Sequence, residues 1–192
     1  MATPTRLDEM RLKRVVRYMS SSPRVATCYP WEPLGDKLTV ECDSDFAGCV
    51  RTRKSTAGGV IYWGDQFVKA WSRTLPVIAL STGEAELASV VRASTEGLGL
   101  QSVLADLGLK ATLEVASDAT AAIGIVKREG LGRVRHLAVA DLWIQQKQAD
   151  GTITYRKVPG TENSSDLMRK GLGAADMDKH LKRLRQMNVL DK

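Results

Sequence analysis

The stretch LTVECDSDFAG, residues 38–48, decides the predicted fold because it joins a strand pattern directly to two acids. Leu38, Val40 and Cys42 alternate with polar residues, which is the pattern of a β-strand with one buried face. Asp43 and Asp45 follow without a break. A carboxylate in or just beyond a core strand loses hydration, so it needs a partner, a proton or a metal ion. The stretch therefore predicts a core strand that carries acids to a functional site.

Three later segments each offer a further acid for such a site. Glu84 and Glu86 begin a long helical pattern. Asp118 follows the apolar run at residues 113–116, and Asp166 opens a late helix. The acids therefore lie on a strand, a helix, a second strand and a second helix, in that order.

Length and composition predict one well-buried domain with a modest extra segment. The 192 residues are 43% hydrophobic and carry a net charge of +6, which suits a polyanionic partner without proving one. The three cysteines form no CxxC pair, so neither a disulfide framework nor a structural zinc site is expected. No signal peptide opens the chain and no apolar run approaches the ~20 residues of a membrane span. We expect a soluble, intracellular protein.

The chain divides into a predicted N-terminal connector, residues 1–36, and a main domain, residues 37–192. Residues 6–19 place apolar side chains at helical spacing on a strongly basic helix. Its basic face either contacts a nucleic acid or a partner, or is a solvated face above a stripe that packs on the core. The sequence does not decide between these two interpretations.

The main domain alternates strand and helix patterns. Hairpin-like spacing predicts an antiparallel meander for the first three strands, and an intervening helix predicts that the fourth strand is parallel to the first. The predicted strands are 38–42, 56–63, 67–73, 113–117 and 152–158. The predicted helices are 81–107, 119–127, a segment around 137–144, a late helix after an Asn163 or Ser164 cap, and a basic tail at 174–187.

Two of the acids have structural interpretations of their own. Ser81 and Glu84 fit a capping box, in which the glutamate carboxylate reaches back to the serine N–H and leaves Glu86 for another role. Glu86 alone is equally a surface residue near a helix N-terminus. Asp118 is equally an N-cap for the helix that follows it.

The amino-acid sequence around each of these acids resembles that of the ribonuclease H of copia-type LTR retrotransposons. CDSDFAG (42–48) and RKSTAGGVIYWG (53–64) are similar to the family's SDADWAG and RRSTSGYVFFLG. ALSTGEAELAS (79–89) is similar to ALSSTEAEY, SDATAAIGIVKREG (117–130) to CDNQSAIALAKNP, and KVPGTENSSDLMRKG (157–171) to YVPTEDQLADIFTK. Residues 4–23 are similar to the stretch that joins reverse transcriptase to ribonuclease H in these polyproteins. The resemblance implies an α/β, ribonuclease H-like fold with a five-stranded mixed sheet flanked by helices.

The same resemblance implies an endoribonuclease that hydrolyses the RNA strand of RNA/DNA hybrids during reverse transcription. Its catalytic and metal-binding residues would be Asp43, Glu86, Asp118 and Asp166, holding two Mg²⁺ ions for which Mn²⁺ can substitute. Asp43 would bridge both ions, Asp166 would help to hold the ion that carries the attacking water, and Glu86 with Asp118 would hold the other. Asp45 has the same strand parity as Asp43, and only the family motif favours Asp43.

The implied partners are an RNA/DNA hybrid and the reverse transcriptase domain of the same polyprotein. No association with a membrane is expected. Such a protein would work in the cytoplasm, in virus-like particles or in the nucleus. His136 fits a helix-entry or phosphate-contact role better than that of a general base. The candidate phosphate contacts are Arg51, Arg53, Lys54, Ser81, Thr82, Arg133 and Arg135.

Two other classes of function remain open from the sequence. An integrase or transposase core would share the fold, but its acids resemble Asp, Asp, Glu in chain order, whereas here the glutamate comes second. A domesticated or inactive copy would bind nucleic acid or a polymerase without cleavage. The presence of all four acids disfavours this second alternative.

Overall fold

The structure is a computed structural model that describes residues 4–33, 35–130 and 142–189. The candidate contacts Arg133 and Arg135, together with His136, lie outside these residues. The helices are α1 (Arg6–Ser21), α2 (Thr82–Asp106), α3 (Thr120–Val126), α4 (Trp143–Ala149) and α5 (Ala174–Arg183), with 3₁₀ helices at Gly160–Glu162 and Ser164–Met168. The strands are β1 (Val25–Thr27), β2 (Lys37–Ser44), β3 (Thr56–Trp63), β4 (Gln66–Thr74), β5 (Thr112–Ser117), β6 (Ile153–Lys157) and β7 (Gln186–Asn188).

A five-stranded mixed sheet with the order β4-β3-β2-β5-β6 forms the centre of the fold. Strands β2, β3 and β4 are antiparallel neighbours, while β5 pairs parallel to β2 and β6 parallel to β5. The predicted meander and the two parallel additions are therefore confirmed. The first strand of the main domain, β2, lies in the middle of the sheet.

The two faces of β2 have different neighbours. Leu38, Val40 and Cys42 are fully buried in the main apolar cluster, which includes Leu87 and Val90 of α2. The other face turns towards the C-terminal segment, which contacts it through the 3₁₀ helix Ser164–Met168 and α5. Because both faces are covered towards the end of the strand, Glu41 and Asp43, which a one-sided sheet would expose, are buried as well.

The tail of the chain differs from its prediction. A helix was expected over residues 174–187, but α5 ends at Arg183 and the chain then forms β7, which pairs antiparallel to β1. Leu184 is buried beside Val60 and Tyr62 of the sheet, and Arg185 takes a positive φ of 54°. The helix therefore ends where the chain turns to pair with the N-terminal strand.

Two further predictions are corrected, one about the late helix after the Asn163 or Ser164 cap and one about the helix at residues 6–19. Asp166 lies in a 3₁₀ helix, because only a few residues separate the Asn163 cap from Gly171. Helix α1 forms as predicted but has no buried residue, and the predicted stripe of Leu12, Val15, Val16 and Met19 is more than half exposed. The interpretation that this stripe packs on the core is therefore wrong.

Three further findings concern the cysteines, the apolar length of the helices and the segment around residues 137–144. Cys28, Cys42 and Cys49 are free thiols, as predicted. None of the described helices is long and apolar enough to cross a membrane. The helix expected around residues 137–144 lies mostly outside the described residues, which show α4 from Trp143 onward.

Candidate active site

Asp43 is fixed in the sheet by its strand and by helix α2. It lies within β2 opposite Gly58 of β3 and is only 6% exposed. One carboxylate oxygen, Oδ1, accepts the N–H of Ser44 at 2.6 Å. The hydroxyl of Ser89 in α2 donates to the Asp43 carbonyl oxygen at 2.9 Å. These bonds hold the residue rigidly and leave the other carboxylate oxygen, Oδ2, without a hydrogen bond.

Asp166 is brought to the same place by the 3₁₀ helix Ser164–Met168. The amide of the Asn163 side chain donates to the carbonyl oxygen of Cys42 at 3.0 Å, and the N–H of Ser164 donates to Glu41 Oε2 at 2.9 Å. Asn163 also caps the 3₁₀ helix by accepting the N–H of Ser165 at 3.2 Å. The segment is thus bonded to β2 directly before Asp43, and Asp166 is 7% exposed.

Gly58 makes this close approach possible. A Cβ atom at position 58 would lie 2.7 Å from the Cβ of Met168 and 2.9 Å from the carbonyl oxygen of Ser165. Both distances are too short for any side chain larger than hydrogen. The glycine opposite Asp43 therefore lets the 3₁₀ helix pack on the sheet, a role that the sequence pattern did not reveal.

Glu86 and Asp118 lie at the open side of the same region and are both partly buried. Glu86 precedes Ser89 by one helical turn, so it projects from the face of α2 that contacts β2. Asp118 follows β5, which is the parallel neighbour of β2. The N-cap of α3 is Ala119 without a side-chain hydrogen bond, so the interpretation of Asp118 as a cap is wrong.

The pKa values indicate that these acids interact. The pKa of Asp43 is raised to about 7, first by burial and then by the charge of Asp118, while the Arg169 guanidinium opposes the increase. Burial also raises the pKa of Glu86, again with a contribution from Asp118. Crowded carboxylates in a partly desolvated place favour the protonated form, because the charged form lacks water and meets like charge. The four predicted acids therefore form one electrostatic group.

Two basic residues reach into this group. The Arg169 guanidinium pairs with Asp43 Oδ2 and, at 3.0 Å, with Asp166 Oδ1. Lys170 pairs with Asp166 Oδ2 at 2.7 Å. The spacing of three and four residues in DLMRK allows the two contacts with Asp166, whereas the contact of Arg169 with Asp43 depends on the packing of distant segments.

The donor set fits a hard divalent cation. Only carboxylate oxygens converge here, which are the ligands that Mg²⁺ prefers. Two of these oxygens, Asp43 Oδ2 and Asp166 Oδ1, are buried and accept no hydrogen bond. Within the described residues, however, no three acidic, His or Cys side chains stand close enough together to hold a metal ion as they are. The side chains would have to rearrange around an ion.

The rival acids have local structural roles. Asp45 Oδ1 accepts the N–H of Thr56 at 2.9 Å and that of Gly48 at 3.2 Å, so this carboxylate closes the loop after β2. Ser81 caps α2 by accepting the N–H of Glu84 at 3.2 Å. The Glu84 carboxylate accepts the N–H of Leu80 at 2.6 Å, one residue further back than the predicted capping box.

The candidate phosphate contacts are only partly grouped. Arg51 and Arg53 are exposed in the loop between β2 and β3, and Lys54 beside them is partly buried. Thr82 is exposed at the start of α2, where Ser81 is engaged as the cap. The basic helix α1 contacts the chain six residues after Asp166: Arg14 donates to the carbonyl oxygen of Leu172 at 3.3 Å.

Known relatives were found by sequence, although no family model matches the chain. The chain is 27% identical over 162 residues to a retrovirus-related Pol polyprotein from transposon TNT 1-94 of Nicotiana tabacum, a match that covers 83% of the chain. It is 25% identical over 177 residues to the Pol polyprotein from transposon RE1 of Arabidopsis thaliana, covering 90% of the chain. The chain spans only 12% of the length of each of these relatives.

Among solved structures, the chain is similar to LC11-RNase H1, whose structure was solved in complex with an RNA/DNA hybrid. The TM-score is 0.49 with 16% identity, over 69% of this chain and 93% of the other. So distant a likeness adds nothing to the fold that the strand order already defines. The strand order confirms the five-stranded mixed sheet, flanked by helices, that was predicted for a ribonuclease H-like fold, and the chain is similar to one segment of the Pol polyproteins of the transposons TNT 1-94 and RE1.

Proposed function

We propose that the chain is an endoribonuclease that hydrolyses the RNA strand of RNA/DNA hybrids during reverse transcription of a retroelement. The observation that carries the proposal is the meeting of Asp43 and Asp166, two buried acids from opposite ends of the domain, within the electrostatic reach of Asp118. A fold gains no stability from collecting acids that raise each other's pKa. Such clusters are typical of sites that bind cations or perform acid–base chemistry.

In this proposal Asp43, Glu86, Asp118 and Asp166 hold two Mg²⁺ ions, with Mn²⁺ as a substitute. Bound there, the ions would activate the attacking water and stabilise the leaving oxygen of the phosphodiester. The protein's own part is to keep Asp43 rigid on β2 and to hold Asp166 against it through Asn163. Partial burial of the cluster strengthens each electrostatic contact within it.

The proposed substrate is a hybrid recognised through its backbone. A protein distinguishes the RNA strand by its 2′-hydroxyl groups in a shallow minor groove, and the DNA strand by phosphate contacts. Arg51 and Arg53 are exposed on the loop that follows the strand of Asp43, and this exposure supports the proposal that they contact phosphates. Arg133 and Arg135 remain proposed contacts on sequence grounds alone.

The proposed protein partner is a reverse transcriptase domain of the same polyprotein. The relatives are Pol polyproteins of which this chain matches only a short segment. Helix α1 presents an exposed apolar stripe and extends from the N-terminal side of the domain. We propose that residues 1–36 connect the domain to the polymerase, and that residues 37–192 form the nuclease unit.

A cleavage assay tests the proposed activity. An end-labelled RNA/DNA hybrid is incubated with the protein in Mg²⁺, beside single-stranded RNA and duplex DNA. We expect cleavage of the RNA strand in the hybrid alone, and a loss of at least about 100-fold for Asp43→Asn, the scale of removing one group that stabilises transition-state charge. Asp45→Asn is the matched control. Asp45 lies two residues after Asp43, has the same place in the alternation of the strand, and closes the loop that follows.

One observation favours a second candidate, a module that binds hybrid without cleaving it. Arg169 already pairs with two of the four acids, as a cation would in a site that no longer binds metal. Tight binding of the hybrid without cleavage in Mg²⁺ or Mn²⁺ would support this candidate and contradict the first. Equal cleavage by wild type and Asp43→Asn would contradict the assigned site.

A further inference from the structure

The position of Arg169 among the acids is the feature that the proposed function does not explain. Its guanidinium lies between Asp43 of β2 and Asp166, three residues before it in the chain, and contacts both. Its side chain is 19% exposed, so it is neither a free surface arginine nor one enclosed by the core. Arginine keeps its charge under all ordinary conditions and presents several N–H donors in a plane, which suits two carboxylates at once.

The atoms that Arg169 contacts are the ones a metal ion would need. Asp43 Oδ2 and Asp166 Oδ1 are buried oxygens that contact the guanidinium as ion pairs, without the geometry of a hydrogen bond. Asp43 Oδ1 is engaged by the N–H of Ser44. A cation cannot approach Oδ2 of Asp43 while the guanidinium occupies that side, because the two positive groups would repel each other at contact distance.

We propose that Arg169 is a resident cation of the metal-free site, which neutralises Asp43 and Asp166 and must leave them before a divalent ion binds. This inference rests on the proposed metal site. Arg169 is therefore a positioning residue: it keeps the two carboxylates together, and it makes metal binding a competition between a side chain and an ion. The affinity for Mg²⁺ is lower than the acids alone would give.

Removal of the arginine should have opposite effects on the free protein and on metal binding. Without metal, Arg169→Gln leaves two buried carboxylates with less compensation, so the metal-free protein melts at a lower temperature. With metal, the competitor is gone, so Mg²⁺ and Mn²⁺ bind more tightly. A merely structural ion pair would produce the first effect without the second.

Arg183 supplies the matched control. It pairs with Glu41, a buried acid that lies on the same strand two residues before Asp43. Arg183→Gln also removes an arginine from a buried carboxylate of β2, and it should lower the melting temperature. It should leave the affinity for metal unchanged, because Glu41 is not among the proposed ligands.

The experiment measures Mn²⁺ binding by electron paramagnetic resonance and Mg²⁺ binding by calorimetry, with melting curves in EDTA and in Mg²⁺. For Arg169→Gln we expect about tenfold tighter metal binding, within the range usual for coupling between two sites, and a larger rise in melting temperature on adding Mg²⁺. Arg169→Lys keeps the charge but not the planar fork, so its affinity should be intermediate. It also keeps the test valid if Arg169→Gln fails to fold.

The outcomes separate the inference from the proposed function. If wild type binds metal and neither Arg169 variant binds it more tightly, the resident-cation role is wrong while the metal site stands. If no variant binds metal, the proposed metal site itself is wrong. If Arg183→Gln tightens metal binding as much as Arg169→Gln does, the effect comes from a general change in charge or stability, and the inference fails.

Discussion

Glu41 and Asp43 lie two residues apart on the same face of β2, yet their surroundings differ. Glu41 is fully buried, and both of its carboxylate oxygens have partners: Arg183 contacts Oε1 and the N–H of Ser164 donates to Oε2. Arg183 in turn donates to the carbonyl oxygen of Glu162 at 2.9 Å and lies over the Tyr62 ring at 5.4 Å. Both oxygens of this buried acid therefore have a partner.

Asp43 is also buried, but its carboxylate has different neighbours. Its neighbours include the acids Asp118 and Asp166, and the cation that compensates it is shared with Asp166. Burial together with like charge raises its pKa to about 7. The comparison teaches that burial alone does not distinguish a structural acid from a functional one. The two acids differ in that the cation of Asp43 is shared with Asp166, and in that neighbouring acids raise the pKa of Asp43.

The largest expected effect on stability follows from removing the charge of Glu41. Breaking a buried ion pair commonly costs 3–5 kcal/mol, but Arg183 is partly exposed and regains hydration, so we expect Glu41→Gln to lose about 3 kcal/mol in free energy of unfolding. Urea denaturation measures the loss. Hybrid cleavage by the folded fraction should persist, since Glu41 is no proposed ligand. Unchanged stability would show that the Glu41–Arg183 pair does not fasten α5 to the sheet.

A smaller effect should follow from Gly58→Ala, which sharpens the comparison at the point where the 3₁₀ helix meets β2. The added methyl group would collide with Met168 and with the backbone of Ser165, so the segment that carries Asp166 must move. We expect a loss of about 2 kcal/mol in free energy of unfolding, as for overpacking in a close contact, together with a loss of cleavage.

The matched control is Gly124→Ala in α3, where a Cβ atom would meet no other atom within 4 Å. This substitution should be neutral or slightly stabilising, because alanine favours a helix. Equal behaviour of the two glycine variants in denaturation and cleavage would contradict the role of Gly58.

The smallest expected effect is a gain in stability for Asp43→Asn, with a definite pH dependence. Since the pKa of Asp43 rises from 3.8 to about 7 on folding, its contribution to stability is complete below pH 4 and is lost as the pH rises towards 7. A pKa unit corresponds to about 1.4 kcal/mol, and solvent screening and the lost Arg169 pair reduce the gain, so we expect about 1 kcal/mol at pH 8.

Denaturation curves in EDTA at pH 8 and near pH 4 measure this gain. Wild type and Asp43→Asn should differ at pH 8 and converge near pH 4, where Asp43 is protonated. Asp45→Asn should change stability little, because the amide Oδ1 of asparagine can still accept the N–H groups of Gly48 and Thr56. A loss for Asp43→Asn at pH 8 would show that the Arg169 pair outweighs the repulsion among the acids.

The sequence by itself determined the elements of the sheet and the order of the acids along the chain. Strand β3 spans the predicted residues 56–63, and helix α2 begins after the predicted Ser81 cap. Such features depend on residues a few positions apart, through alternation, helical spacing and capping. The four acids were identified instead through the resemblance of the sequence around each of them to copia-type ribonuclease H, and their assignment as ligands remains a proposal.

Only the tertiary structure decided which acids are satisfied and which are crowded. The alternation of β2 would place Glu41 on a polar face, but the C-terminal segment covers that face, and the bond to Arg183 joins residues 142 positions apart. The same covering layer brings Arg169 onto Asp43, ends α5 at Arg183 and pairs β7 with β1. These contacts depend on how distant segments pack together, and no local pattern of residues specifies that packing.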